Sequence, residues 1–190
     1  LGIVTAVGSM ISMALCPLLI KKLNERNAYI LLSVYGFAAS VFSFVIGHFW
    51  FQSPKNMVLT VLFYASLFLI GLQFGAVTLM PMIMTADTVD YYEYETGKRM
   101  EGACYSILTL TIKVCLALGT AVGLIFVQKS GYYESLTAGT FTTKTKDIIF
   151  FAYTALPGIL ALISIFPMFK YDIVGEKKAK ISTELAARRK

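Results

Sequence analysis

One ammonium in the middle of an apolar stretch demands a chemical explanation. Lys113 is the single charge between Gly102 and Gln128, about 16 Å along a helix from Gly102, a depth at which a bare charge in lipid is costly. At 100° per residue Gly102, Ser106, Thr109 and Thr120 fall within about 40° of it. Cys104, Thr111 and Cys115 point elsewhere. A stripe of hydroxyls and one cation predicts a face turned to a bundle interior or a water-filled cavity. The structural alternative is a lysine neutralised in a helix–helix contact. No other apolar stretch contains an acidic residue. The partner is therefore a substrate, a loop carboxylate or a part of the protein outside this chain.

A second constellation lies in Asp87–Glu101, where carboxylates recur at i and i+3: Asp87, Asp90 and Glu93. If the preceding helix continues past the membrane they form an acidic ridge drifting about 60° per step, and Gly97 permits a turn that returns Arg99 towards it. Arg99 against Asp87 and Asp90 is a natural breakable clasp, with Glu93 and Glu101 beside it. The alternative that spacing alone leaves open is a solvated charged loop. Paired carboxylates also serve acid–base catalysis, but no nucleophile, histidine or metal-ligand set accompanies them, so the sequence does not read as an enzyme. Cys16, Cys104 and Cys115 show no ligand or disulfide spacing and are expected as buried thiols.

Other polar faces are milder. Thr5, Gly8, Ser9, Ser12 and Cys16 share one face, and small residues there predict close packing. Gly71, Gly75, Thr78 and Thr85 line up similarly, which suits either packing or a cavity wall.

The elements that position these residues follow from composition. The 190 residues are 57% hydrophobic and 15% charged, far from the balance of soluble domains. Long apolar stretches predict an all-α integral membrane protein of five spans, at about 1–20, 28–48, 57–85, 102–128 and 148–169, within a bundle over 1–170. A polar loop joins the last two. Residues 171–190 form a basic tail, helix-forming from about Glu176. No signal peptide is visible, and the start at Leu1 inside an apolar run reads as a fragment.

Twelve Lys and Arg fall in the first loop, the Asp87–Glu101 loop and the tail, against four in the other loops. The positive-inside rule makes the first group cytoplasmic, together with the C-terminus. The net charge of +6 thus sets orientation, and nucleic acid is not an expected partner. Phe49, Trp50 and Phe51 are expected as an outer aromatic belt, with His48 as an anchor.

The string ADTVDYYEYETGKRMEGACYS from Ala86 to Ser106, followed by Lys113, closely resembles the signature of the glycoside-pentoside-hexuronide:cation symporters. The Cys16-Pro17 end of the first span and the lysine-rich tail are also similar, so the resemblance covers the whole chain. It implies a major facilitator fold of two six-helix halves, with this chain matching helices 8–12. Helix 7 and the N-terminal half of the same protein are then missing partners. It further implies cation-coupled uptake of a sugar or glycoside by alternating access in a bacterial inner membrane, with no cofactor beyond Na⁺, Li⁺ or H⁺. The ion site would draw mainly on aspartates of the missing half, so no complete metal site is expected here. Lys113 and Thr109 match positions facing sugar and cation, with Ser106, Thr120 and Thr78 along the same pathway. Asp87, Asp90, Arg99 and Glu101, with Glu93, match a cytoplasmic gate. Thr78 stands where members can carry a cavity tryptophan, which leaves the sugar open. The alternatives are a related carrier of a lysolipid or organic anion, or a non-transporting membrane sensor or assembly subunit.

Overall fold

The computed structural model describes residues 2–188. Leu1, at the start of the first expected span, and Arg189 and Lys190, at the end of the tail, lie outside the described residues. Those described are helical with turns and no strand. Among the described residues, four helical stretches are long and apolar enough to cross a membrane: Gly2–Gln52, Met57–Thr96, Glu101–Lys129 and Thr143–Met168.

Helix α1 (Gly2–Gln52) is two limbs joined at Asn24, whose φ of 65° and ψ of 160° leave the helical region. Glycine adopts that conformation almost exclusively, so an asparagine there marks a strained reversal of the chain. The limbs run in opposite directions along helix α2 (Met57–Thr96). Thr5 and Ser9 meet Gly71 and Gly75 in the same order, whereas Gly36, Ser43 and Trp50 meet Gln73, Ser66 and Thr60 in reverse order. The small residues permit this approach: a Cβ on Gly8 would stand 2.6 Å from the Phe68 carbonyl oxygen. Gly71 and Gly75 are therefore packing residues. Gln73 is also buried, on a different face of α2, against Gly36 of the second limb.

Asn56 caps α2 by accepting from the Val58 N–H at 3.0 Å. The helix runs through Pro81 and stops at Gly97, whose φ is 72° and whose N–H bonds the Glu93 carbonyl at 2.8 Å. Only 97–100 separate it from α3 (Glu101–Lys129). Most of the expected acidic loop is thus the last turns of a helix.

The polar connection after α3 holds a short helix, α4 (Tyr132–Ala138). The last span begins earlier than expected and is segmented into α5 (Thr143–Tyr153), α6 (Ala155–Ile163) and α7 (Ile165–Met168). Pro157 and Pro167 explain the breaks: each lacks the N–H that would bond the carbonyl four residues earlier, at Tyr153 and Ile163. The interruptions at Thr154 and Ser164 follow those carbonyls directly. Thr154 and Ser164 bond their hydroxyls to the Phe150 and Ala161 carbonyls, both at 2.7 Å.

At the end bearing α1's Trp50, an aromatic cluster forms the core. Trp50 stacks on Phe63 with centroids 4.5 Å apart, and Phe51 and Phe150 close around them. Only Phe49 of the expected belt trio is strongly exposed, because the other two rings reach α2 and α5. His48 Nδ1 lies 3.0 Å from Asp147 Oδ2 and ties α1 to α5.

Candidate functional site

On α3, Gly102, Tyr105, Ser106, Thr109, Leu110 and Lys113 line one open groove of about 400 Å³. The helix brings together four of the five stripe residues read from the sequence. Thr120, two turns further on, does not line the groove. Its hydroxyl donates to the Leu116 carbonyl at 2.8 Å. Thr78 lies exposed on α2 outside the groove, and its hydroxyl donates to the Phe74 carbonyl at 2.7 Å. Thr109 likewise donates to the Tyr105 carbonyl at 2.8 Å, leaving its lone pairs to accept. The groove's polar equipment is therefore one ammonium, the hydroxyls of Tyr105 and Ser106, and the Thr109 oxygen. No carboxylate lines it.

No residue of α3 is buried against the other described helices. Cys115 is exposed and Cys104 half-buried, unlike the buried Cys16, so the expectation of three buried thiols fails for two. α3 touches the other described helices only lightly, with the Phe126 and Phe151 ring centroids 6.2 Å apart, so neither thiol is covered as Cys16 is. A larger groove of about 510 Å³ lies between the α1 limbs and α2. Leucines dominate its walls, with Ser12, Lys22 and Tyr35 among them, so it is the more apolar of the two.

The second arrangement lies at the end bearing Asn24 and Gly97. Arg99 bonds Asp90 Oδ1 at 3.1 Å and Glu93 Oε2 at 3.0 Å through Nη1, and Glu101 Oε2 at 3.1 Å through Nε. Gly97 makes this possible by turning the chain back along the last turns of α2. Glu93 first, then Glu101 and Asp90, hold the guanidinium pKa above its ordinary value. The clasp joins α2 to the first turn of α3.

Asp87 is not a member of it. One turn earlier on α2 it faces inward, and Lys178 Nζ approaches its Oδ1 to 2.7 Å and Glu25 Oε1 to 2.6 Å. Tyr171 also donates to Asp87, at 3.4 Å. The expected pairing of Asp87 with Arg99 fails because the 60° drift of the ridge sends the two ends to different faces. Lys178 sits on helix α8 (Gly175–Arg188), which docks Ile181 and Leu185, with Ile173, against Tyr91, Tyr94 and Tyr171. Arg188 donates to the Tyr94 carbonyl at 2.9 Å. The tail is thus a packed element, and Glu25, Lys178 and Tyr171 are residues the sequence reading missed. A signal existed: Ile181 and Leu185 at i and i+4 give the tail one apolar face, and Glu25 is the lone acid of its loop.

Among the described residues no group of His, Cys, Asp or Glu is arranged to hold a metal ion.

Antiparallel apolar helices carrying a polar stripe define a polytopic membrane protein. The chain belongs to the MFS/sugar transport protein family, a family of the major facilitator superfamily, whose model matches residues 1–175. It is 24% identical over 187 residues to the glucuronide carrier protein homolog of Escherichia coli K12, covering 97% of this chain and 38% of that protein. A putative sulfoquinovose importer of the same organism is 25% identical over 183 residues, covering 95% and 36%. An uncharacterized 29.9 kDa protein of Pseudescherichia vulneris is 28% identical over 149 residues, covering 78% and 53%. The chain therefore spans about a third to a half of the length of these relatives. No solved structure matches it.

Proposed function

We propose that this chain is part of the C-terminal half of a cation-coupled symporter that carries a sugar or glycoside by alternating access. In this reading the two limbs of α1, then α2, α3 and the segmented α5–α7, are five crossings equivalent to helices 8–12. Helix 7 and an N-terminal half complete the protein and the cation site. The Arg99 end is cytoplasmic, as the distribution of basic residues favours.

The observation that carries the reading is the α3 groove, where Lys113, Ser106 and Tyr105 present donors in a helix otherwise built to sit in an apolar environment. Within a closed bundle such a groove becomes one wall of a midplane site. Lys113 donates to a sugar hydroxyl or pairs with an acid group, and Thr109 accepts. Thr120 and Thr78 lie along the approach. Arg99 with Asp90, Glu93 and Glu101 forms the cytoplasmic gate.

Among sugars an acidic one suits the groove best, because no carboxylate in its wall competes for the ammonium. Two relatives point the same way by name: a glucuronide carries a carboxylate and sulfoquinovose a sulfonate. A carrier of a non-sugar organic anion is the second reading on the same observation. The test is uptake by the full-length protein in liposomes, under Na⁺, Li⁺ or H⁺ gradients, of neutral glycosides, uronides, sulfonated sugars and small organic acids. Gradient-driven accumulation of a sugar supports the reading, and accumulation of none of these refutes it.

A further inference from the structure

Lys178 bridges two carboxylates that are almost fully buried, Glu25 at 5% and Asp87 at 9% exposure, and these belong to elements 62 residues apart in sequence. Glu25 follows the Asn24 break between the α1 limbs, and Asp87 begins the acidic ridge of α2. Without a cation between them, two buried like charges would face each other, which is costly. The ridge also carries the Arg99 clasp. Asp90 belongs to both arrangements: it accepts from Arg99, and with Asp87, Ile173, Lys178 and Ile181 it lines a small cavity of about 80 Å³ beneath α8. The ammonium's seat therefore shares a wall with one jaw of the clasp.

We propose that Lys178 is a positioning residue for the gate: by neutralising Glu25 and Asp87 it docks α8 across the Asn24 break and the α2 terminus, and so holds Asp90 and Glu93 in register for Arg99. The inference deepens the transport reading and rests on the Arg99 clasp being its gate. Lys178 touches no substrate. Its effect passes through the last turns of α2, whose direction is fixed by Lys178 on one face and by Arg99 on another. Ile181 and Leu185 supply adhesion to the tyrosines of α2, but they would hold any amphipathic helix there. Lys178 ties that helix to Glu25, beside the break between the α1 limbs.

The test uses the full-length protein, stripped of native cysteines, with Ser106→Cys as a reporter on the groove wall. An impermeant maleimide is applied to inside-out vesicles without substrate. Lys178→Met should raise the labelling rate at least about threefold, Lys178→Arg should keep it within about twofold of the parent, and Lys178→Met added to Arg99→Ala should give much less than the product of the two single effects. Unchanged labelling in Lys178→Met, or single effects that multiply, overturns the proposal. Should Lys178→Met fail to accumulate in the membrane, Lys178→Met/Glu25→Gln, which removes one of the stranded charges, is read in its place by the same criteria. Because labelling needs no substrate, failure here is distinguishable from failure of uptake.

Discussion

Arg99 Nη1 stands 3.1 Å from Asp90 Oδ1, nine residues earlier on the other side of a glycine turn. With Glu93 and Glu101 on the same guanidinium, this contact fastens the end of α2 to the start of α3, the helix that carries Lys113. Its partners are all partly exposed, so the clasp is weak enough to break and re-form, as the proposed gate requires.

Arg99→Ala should therefore favour the inward-open state, impair concentrative uptake and change apparent sugar affinity only through the population of the binding-competent state. Labelling of the Ser106→Cys reporter from the cytoplasmic side checks this. Unchanged labelling and uptake would make the turn a passive connector. The swap Arg99→Asp with Asp90→Arg should not restore activity, since the new aspartate would face Glu93 and Glu101.

The close crossing of α1 and α2 gives a stability prediction. A Cβ at Gly8 meets the backbone of Phe68 and Gly71, which cannot rotate away. Gly8→Ala should cost about 1–3 kcal/mol, as overpacking commonly does. Gly2→Ala, with open space around it, should be near neutral. Thermal unfolding in detergent separates the two, and equal melting temperatures would contradict the packing.

Much of this was legible in the sequence, and the reasons differ by element. The stripe of Gly102, Ser106, Thr109 and Lys113 was readable because one regular helix fixes angles from spacing alone. Arg99's return to Asp90 and Glu93 was readable because Gly97 marks the turn. What local spacing could not supply was the long-range partner of Asp87. Lys178 lies 91 residues away, and the choice between it and Arg99 depends on how α8 docks. The fold-back at Asn24 was visible as a charged loop, but its form as a single positive-φ residue was not. The segmentation at Thr154 and Ser164 was foreshadowed by Pro157 and Pro167, whose effect on an otherwise apolar run depends on how neighbours satisfy the freed carbonyls.

Orientation is open to direct labelling. Cysteines at Thr140 and Lys98, both exposed, should react with an impermeant reagent from outside and inside respectively. Tyr94 is a poorer inner reporter because it lies under Arg188 of α8. The reverse pattern would contradict the topology.

The Lys178 latch has a defined pH range. Burial pushes the Lys178 pKa down, but Asp87 and Glu25 outweigh it and leave the ammonium above its ordinary value. A raised folded-state pKa contributes stability that is complete below the unfolded value, about 10.4, and is lost as pH rises through the folded value. Tyr171, the other titratable group on Asp87, is also raised, by burial and then by Asp87, so it stays neutral over the same range. On the alkaline side, docking of α8, followed as the distance between spin labels at Thr88 and Thr183, should hold to about pH 9 and loosen only above about 10.4. Undocking near neutral pH would contradict this.

The central claim is that Lys113 serves a transport site. In the full-length protein reconstituted into liposomes, gradient-driven sugar accumulation is compared between the parent and Lys113→Leu, with insertion measured in the same samples. The account predicts that accumulation falls to background while the protein inserts at the parent level, because the lost charge belongs to the site and not to the packing. Near-normal accumulation by a fully inserted Lys113→Leu protein would contradict it and leave the lysine a structural residue.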